Sequence, residues 1–309
     1  MNNVTSVTDF ILLGFPELHG LKMPFFTMFV LMYLLSLTGH SMIIIVVLRE
    51  PMLHTPMYFF LSNFSVAEIC STTAAIPKML HNLLSGKNTI CFACCMAQGF
   101  ILFSMAAVEF ITLTVMSFDR YVAICKPLLY TTIMTNELCL RLALVAWIGG
   151  FVIIISQSAV IWSYPYCGPN VIDHFFCDVG PVLRLACADT TLMELIGLLY
   201  GATIMWGSFG FSLISYACII STIVGIPSAT GRSKAFLTCA SHLTVVSLFY
   251  LILMFMYLRP STHGDTGVNK VVSLVCVSFI PMLNPFIYTI RNKDFKVAAG
   301  TMLRRKLHF

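Results

Sequence analysis

Seven runs of about 20 or more largely apolar residues divide this chain, near 24–48, 57–80, 92–118, 140–162, 193–226, 236–258 and 268–290. A run of about 20 apolar residues is long enough for one helix to cross the hydrocarbon core of a bilayer. Backbone in that core must satisfy its own hydrogen bonds, which only helices and closed barrels achieve. The chain is 58% hydrophobic and 10% charged, with a mean hydropathy of +0.89. Soluble domains carry about 25% charged residues, so a water-soluble fold is excluded. The fold class is therefore an all-α membrane protein, a bundle of seven transmembrane helices.

Seven crossings put the termini on opposite sides, and charge sets which is which. With the N-terminus outside, the inner segments hold Arg49, Arg120, Lys126, Arg141, Arg232, Lys234, Arg291, Lys293, Lys296, Arg304, Arg305 and Lys306. The outer segments hold only Lys22, Lys78, Lys87, Arg184, Arg259 and Lys270. That asymmetry favours a cytoplasmic C-terminus in a plasma-membrane protein. The basic tail then meets anionic lipid rather than nucleic acid. Three parts result: an extracellular arm (1–23), the seven-helix domain (24–290) and a cytoplasmic tail (291–309). The stretch from Arg291 to Leu303 predicts a short amphipathic helix after span seven, with Phe295, Ala298, Ala299 and Met302 on one side. The first residues lack the basic start and cleavage site of a signal peptide. Asn3-Val4-Thr5 is a glycosylation triplet in the outer arm. Asn63-Phe64-Ser65 also matches but lies within span two, out of reach of glycosylation.

Polar residues inside the spans are the functional candidates, because charge there is costly unless paired. Asp119 and Arg120 end span three, and Lys126-Pro127 breaks the helix. Arg120 either snorkels to water or pairs with Asp119 as a latch. Glu68 and Glu109 must be protonated, paired or bound to a cation. Pro285 in span seven frees a backbone carbonyl, which neighbours such as Asn284 can re-satisfy, giving a bend able to change state. Pro51 and Pro56 favour an extended turn between spans one and two. His242 follows Cys239 by one helical turn on the same face. A hydrogen-bonded histidine is preferred there over a copper site for sulfur-containing ligands. Cys95, Cys167, Cys177 and Cys187 lie in outer segments, an oxidising location, and four cysteines allow three connectivities. Cys91 and Cys94 cluster with Cys95, but no histidine or second cysteine pair has the spacing of a zinc site.

Four stretches together resemble a known family. They are Pro56-Met57-Tyr58-Phe59-Phe60-Leu61, Met116 to Cys125 with Asp119-Arg120-Tyr121, Lys234 to Leu243, and Pro281 to Tyr288. In this order and at these spans they resemble the odorant receptors, a branch of the rhodopsin-like G-protein-coupled receptors. The sequence departs from that pattern at His40, where asparagine is usual, at Glu68, where aspartate is usual, and at Phe118, where tyrosine is common.

The resemblance implies that Asp119, Arg120 and Tyr121 form the latch, released to a G protein when span six moves outward. It implies a switch in which Tyr288 and Tyr216 turn inward, supported by Asn284 and Pro285, with His242 holding the resting state. It places Glu68 and Glu109 around a sodium pocket, the alternative being a neutral acid in an inter-helix hydrogen bond. It implies the disulfides Cys95–Cys177 and Cys167–Cys187. A ligand pocket is implied among Leu102, Phe103, Ala106 and Ala107, Tyr200 and Ile204, and Tyr250, Leu253, Met254 and Tyr257, with Tyr250 as the ligand-sensing residue. That lining suits a small, largely neutral molecule. Leu102 stands where amine receptors carry an aspartate, which argues against a cationic amine.

The function expected is binding of a volatile odorant and activation of a stimulatory olfactory-type G protein, raising cyclic AMP, with no cofactor. A non-olfactory chemosensory receptor is the alternative. A transporter would favour an internal repeat, and an intramembrane protease would need a serine–histidine pair, paired aspartates or a metal motif. None of these stands in the spans, so no enzyme activity is expected.

Overall fold

Prolines and glycines set where the helices begin and end. The computed structural model describes residues 7–16, 20–167, 169–258, 266–290 and 292–307; Asn3 lies outside them. A short strand β1 (Asp9–Leu12) precedes α1 (Lys22–Arg49). Glu50 and Thr55, each followed by proline, are extended, with φ/ψ of −106°/106° and −118°/157°. Between them Pro51–Leu53 forms a 3-10 turn, tighter than the extended connection expected from sequence. Proline at the first position costs a helix no hydrogen bond, so Pro56 opens α2 (Pro56–Ser85), which stops at Gly86 with φ +67°.

Strand β2 (Thr89–Cys91) leads into α3 (Phe92–Cys125). After Lys126 come a 3-10 turn, Pro127–Leu129, and a single helical turn, Tyr130–Ile133. The side chain of Thr135 caps α4 (Asn136–Ser163) by accepting from the Leu138 amide at 3.2 Å. Strand β3 (Val171–Ile172) and α5 (Thr191–Val224) follow, then α6 (Ala229–Leu258). Helix α7 consists of Thr266–Leu274, a π-helical stretch Val275–Phe279 and Ile280–Ile290. Pro281 has no N–H to return to the preceding turn, so the wider π turn falls where an α-helical bond is lost. Asn292 caps α8 (Lys293–Leu307), accepting from the amides of Asp294 and Phe295 at 3.0 and 3.2 Å.

Among the described residues, six helices are long and apolar enough to cross a membrane. The seventh is α6, taken as one span across a 46° bend between Ala229–Leu237 and Cys239–Ile252. Helices α4 and α6 start earlier than their apolar runs, at Asn136 and Ala229 rather than 140 and 236, because helical bonding continues into the polar interface. Helix α3 runs at the centre, packed against α2, α4 and α5. Phe60, Phe64, Leu113, Met116 and Tyr250 fill the core. Leu48, Val145, Ile148 and Leu195 face outward, as lipid-contacting side chains must. Phe295 and Ala298 of α8 are buried, and Ala299 and Met302 pack beside them.

Close helix contact demands glycine at particular positions. A Cβ at Gly150 of α4 would stand 2.7 Å from Val108 Cγ2 and 3.1 Å from the Ser104 carbonyl, both on α3, whereas at Gly149 its nearest neighbour is 3.8 Å away. Gly150→Ala is expected to destabilise the bundle by about 1–3 kcal/mol, and Gly149→Ala by less than about 0.5 kcal/mol. Thermal unfolding of the two variants in lipid nanodiscs checks this.

Candidate functional site

One end of the bundle is closed by a sheet and three disulfides. The strand order is β2-β1-β3, with Asp9 opposite Cys91 and Phe10 opposite Ile90 in the antiparallel pair, and Leu12 opposite Ile172 in the parallel pair. Cys91 is bonded to Cys94, Cys95 to Cys177, and Cys167 to Cys187. Gln98 ties the loop to the bundle: its side-chain oxygen accepts from the Cys177 amide at 3.0 Å, and its nitrogen donates to the Ala74 carbonyl at 2.9 Å. The space between Gly99 and this loop is small; a Cβ there would lie 3.0 Å from the Cys177 carbonyl.

Beneath the loop, α3, α4 and α5 border a partly open cavity of about 490 Å³. Its walls are mainly apolar, with Gln157, Ser158, Asp178, Arg184 and Glu194 as polar members. Phe103, Tyr200 and Ile204 line it. The single lining expected from sequence is divided, however. Tyr250 and Met254 line a separate cavity of about 180 Å³ between α5 and α6. Leu102 is buried against Phe175 and Phe176, which fill the space on its side of α3. Ala106 and Ala107 line neither cavity, and the side chains of Leu253 and Tyr257 lie outside the described residues.

The loop is also tied to α7. Lys270 Nζ donates to Asp173 Oδ1 at 2.5 Å and to the Gly14 carbonyl at 3.1 Å. The buried His174 stacks on Phe175, and burial with the nearby Lys270 charge lowers its pKa to about 4. Burial raises the Asp178 carboxyl to about 6.

From the centre to the other end runs a polar seam. Pro285 cannot donate to the Pro281 carbonyl, and His40 Nε2 meets that carbonyl at 3.0 Å. Gly39 makes room for the contact, since a Cβ there would stand 2.7 Å from the Pro285 ring. Asn284 Nδ2 donates to Glu68 Oε1 at 2.5 Å. Glu109 is buried, and its Oε1 has no hydrogen-bond partner among the described residues. Among those residues no group of three or more histidines, cysteines or acids is arranged to hold a metal. His242 lies between Ser117 Oγ at 3.2 Å and the Tyr288 hydroxyl at 3.3 Å, while the Tyr216 hydroxyl has no partner among the described residues. Thr114 meets Ser208 at 2.6 Å, Ser117 meets Ser212 at 3.1 Å, and Ser208 bonds the Tyr250 hydroxyl.

At the end of α3, Asp119 is fully buried. Its Oδ2 accepts from Arg120 Nε at 2.9 Å and from Arg120 Nη2, and its Oδ1 from the Tyr130 hydroxyl at 2.7 Å. Tyr121 packs with Ile124 against Tyr216 and Ile219. Sequence reasoning missed Tyr130, Gln98 and the α3–α5 hydroxyls. For the hydroxyls a signal existed: Thr114 and Ser117, like Ser208 and Ser212, repeat at helical spacing.

Between the ordinary carboxyl value of 3.8 and about 6, Asp178 binds more proton in the folded than in the unfolded chain. Stability therefore falls as pH rises through this window, and the loss is complete above it. Asp178→Asn is expected to melt at a higher temperature than the parent at pH 7.5. The two should converge near pH 4, as read by thermal unfolding at both pH values.

A family model described as "Olfactory receptor" matches residues 29–306. Human "Olfactory receptor 6X1" is 52% identical over 298 residues, covering 96% of both chains. Mouse "Olfactory receptor 6E1" is 46% identical over 297 residues, covering 96% of this chain and 95% of its own. Human "Olfactory receptor 6S1" is 44% identical over 305 residues, covering 98% and 92%. With its helix bundle and its apolar outward faces, the chain is a multi-pass membrane protein that belongs to the olfactory receptor family of odorant-sensing G-protein-coupled receptors, and not to an enzyme family.

Proposed function

We propose that this receptor binds a small, mostly neutral volatile molecule in the cavity under the loop and activates a stimulatory olfactory-type G protein, raising cyclic AMP. The observation that carries this reading is the 490 Å³ cavity with mainly apolar walls, a size and character suited to a small organic ligand. Phe103, Tyr200 and Ile204 supply contact surface, and Gln157 and Ser158 supply hydrogen-bonding groups to orient one polar function. The excess of lysine and arginine in the segments at the Asp119 end supports an extracellular N-terminus, available for glycosylation at Asn3, and a cytoplasmic tail on anionic lipid.

Ligand binding shifts the population of helix arrangements. The ion pair of Asp119 and Arg120, with Tyr130, holds the resting arrangement of α3. When α6 moves outward, His242 releases Ser117 and Tyr288, and Tyr216 turns inward with a hydroxyl that has no partner among the described residues to give up. Arg120 is then free for the G protein. The oxygen donors of Glu68 and Glu109 fit a small hard cation such as sodium, which those two residues would hold and whose charge would stabilise both carboxylates.

A cyclic-AMP screen of surface-expressed receptor over chemically varied volatiles tests the reading. No response to any of them would overturn it. For an activating volatile, Phe103→Ala is expected to raise the half-maximal concentration about tenfold, the worth of one buried aromatic contact. Arg120→Ala is expected to abolish the cyclic-AMP response while leaving binding of the same volatile within about twofold. A retained response would remove Arg120 from coupling.

A further inference from the structure

We propose that Cys91 and Cys94 form a reversible dithiol–disulfide site for small thiols such as glutathione, and that its redox state sets the rigidity of the sheet covering the cavity. The pair is a Cys-x-x-Cys motif, Cys91-Phe92-Ala93-Cys94, placed where β2 ends and α3 begins. Cys91 is the residue that caps α3, and its sulfur accepts from the Cys94 amide at 3.0 Å. A sulfur at the start of a 34-residue helix sits against unpaired backbone N–H groups, which favour the thiolate. The Lys78 ammonium, bound to the Thr89 carbonyl at 2.6 Å, adds positive charge two residues away in the chain.

Accessibility separates this bridge from its neighbour. Cys94 is exposed and Cys91 half-buried, whereas Cys95 is fully buried and Cys177 nearly so. The bridges also close very different loops, with sequence separations of 3 for Cys91–Cys94 and 82 for Cys95–Cys177. Closing a short loop removes little conformational entropy from the unfolded chain, so the short bridge contributes little to global stability. Its constraint is local: it fixes the angle between β2 and the first turn of α3.

The exchange balances with two molecules of external thiol. A glutathione thiolate attacks Cys94 Sγ, the Cys91–Cys94 bond breaks, and its electron pair leaves on Cys91 Sγ at the helix start. A second glutathione thiolate attacks the glutathione sulfur of the mixed disulfide, releasing oxidised glutathione and the Cys94 thiolate. The protons of the two glutathione thiols end on Cys91 and Cys94.

The consequence follows from packing. Cys91 pairs with Asp9 in the sheet, and Phe10, Leu12 and Ile90 pack on Cys95, Met96, Cys177 and Leu183, all of which line the cavity. Opening the short bridge therefore loosens the β1–β2 cover while Cys95–Cys177 still holds the loop.

The test uses full-length receptor in nanodiscs, equilibrated in glutathione buffers of graded ratio and trapped with N-ethylmaleimide, with each cysteine read by peptide mass spectrometry. Cys91 and Cys94 are expected to be half-labelled at a reduced-to-oxidised ratio at least tenfold lower than Cys95 and Cys177. Labelling of all four together, or of Cys91 and Cys94 last, overturns the proposal. At the ratio that opens only the short bridge, hydrogen exchange at Asp9–Leu12 and Thr89–Cys91 is expected to rise at least threefold. The C91S/C94S variant should show that raised exchange without reductant, and unchanged exchange in the selectively reduced parent overturns the coupling to the sheet. Neither readout involves an odorant or a G protein, so both are independent of the function proposed above.

Discussion

A polar group inside hydrocarbon has no water to turn to, and the carbonyl freed by Pro285 is the sharpest instance here. The missing proline N–H leaves the Pro281 oxygen without its helical partner, and His40 of α1 reaches across to it. The contact works only because Gly39 lets α1 approach the proline ring. Next to it, Asn284 joins α7 to Glu68 of α2. Three helices are thus fixed by the need to satisfy groups that the sequence places in the membrane, and the rest of the bundle packs around that register.

The same constraint lines up further polar groups along the bundle. Asn284 and Glu68 form one polar contact, and a chain of others joins Tyr288, His242, Ser212 and Ser117, which lies two residues along α3 from Asp119. At the opposite end the loop is held by Gln98, by Lys270 and by disulfides, so the cavity is shaped by anchors on α2, α3 and α7 at once.

Much of this was legible in the residues. The count of spans follows from length and hydrophobicity, because hydrocarbon thickness fixes the length of a crossing helix. The break at Lys126-Pro127 follows from local backbone chemistry, and Asp119 and Arg120 stand out because charge there needs a partner. Tyr130 was not legible: its hydroxyl reaches Asp119 only because Pro127 starts a tight turn that folds the chain back. The π-helical stretch before Pro281 was equally hidden, since an unsatisfied carbonyl can be accommodated in several ways. The division of the expected ligand lining arose because helical spacing gives a face, whereas Phe175 and Phe176 from a distant loop decide which part of that face stays open.

The sequence by itself determined the number of crossings, the positions of the polar residues within them and the cysteines available for bridging, since each depends on transfer energies or chemistry local to a few residues. Only the tertiary structure decided which helices those polar groups join, that His40 serves the carbonyl of Pro281, that Cys95 bonds Cys177 of the loop, and that the larger cavity lies among α3, α4, α5 and the loop. Those outcomes depend on contacts between residues far apart in the chain, and pairing of that kind is set by how whole helices pack rather than by any local pattern.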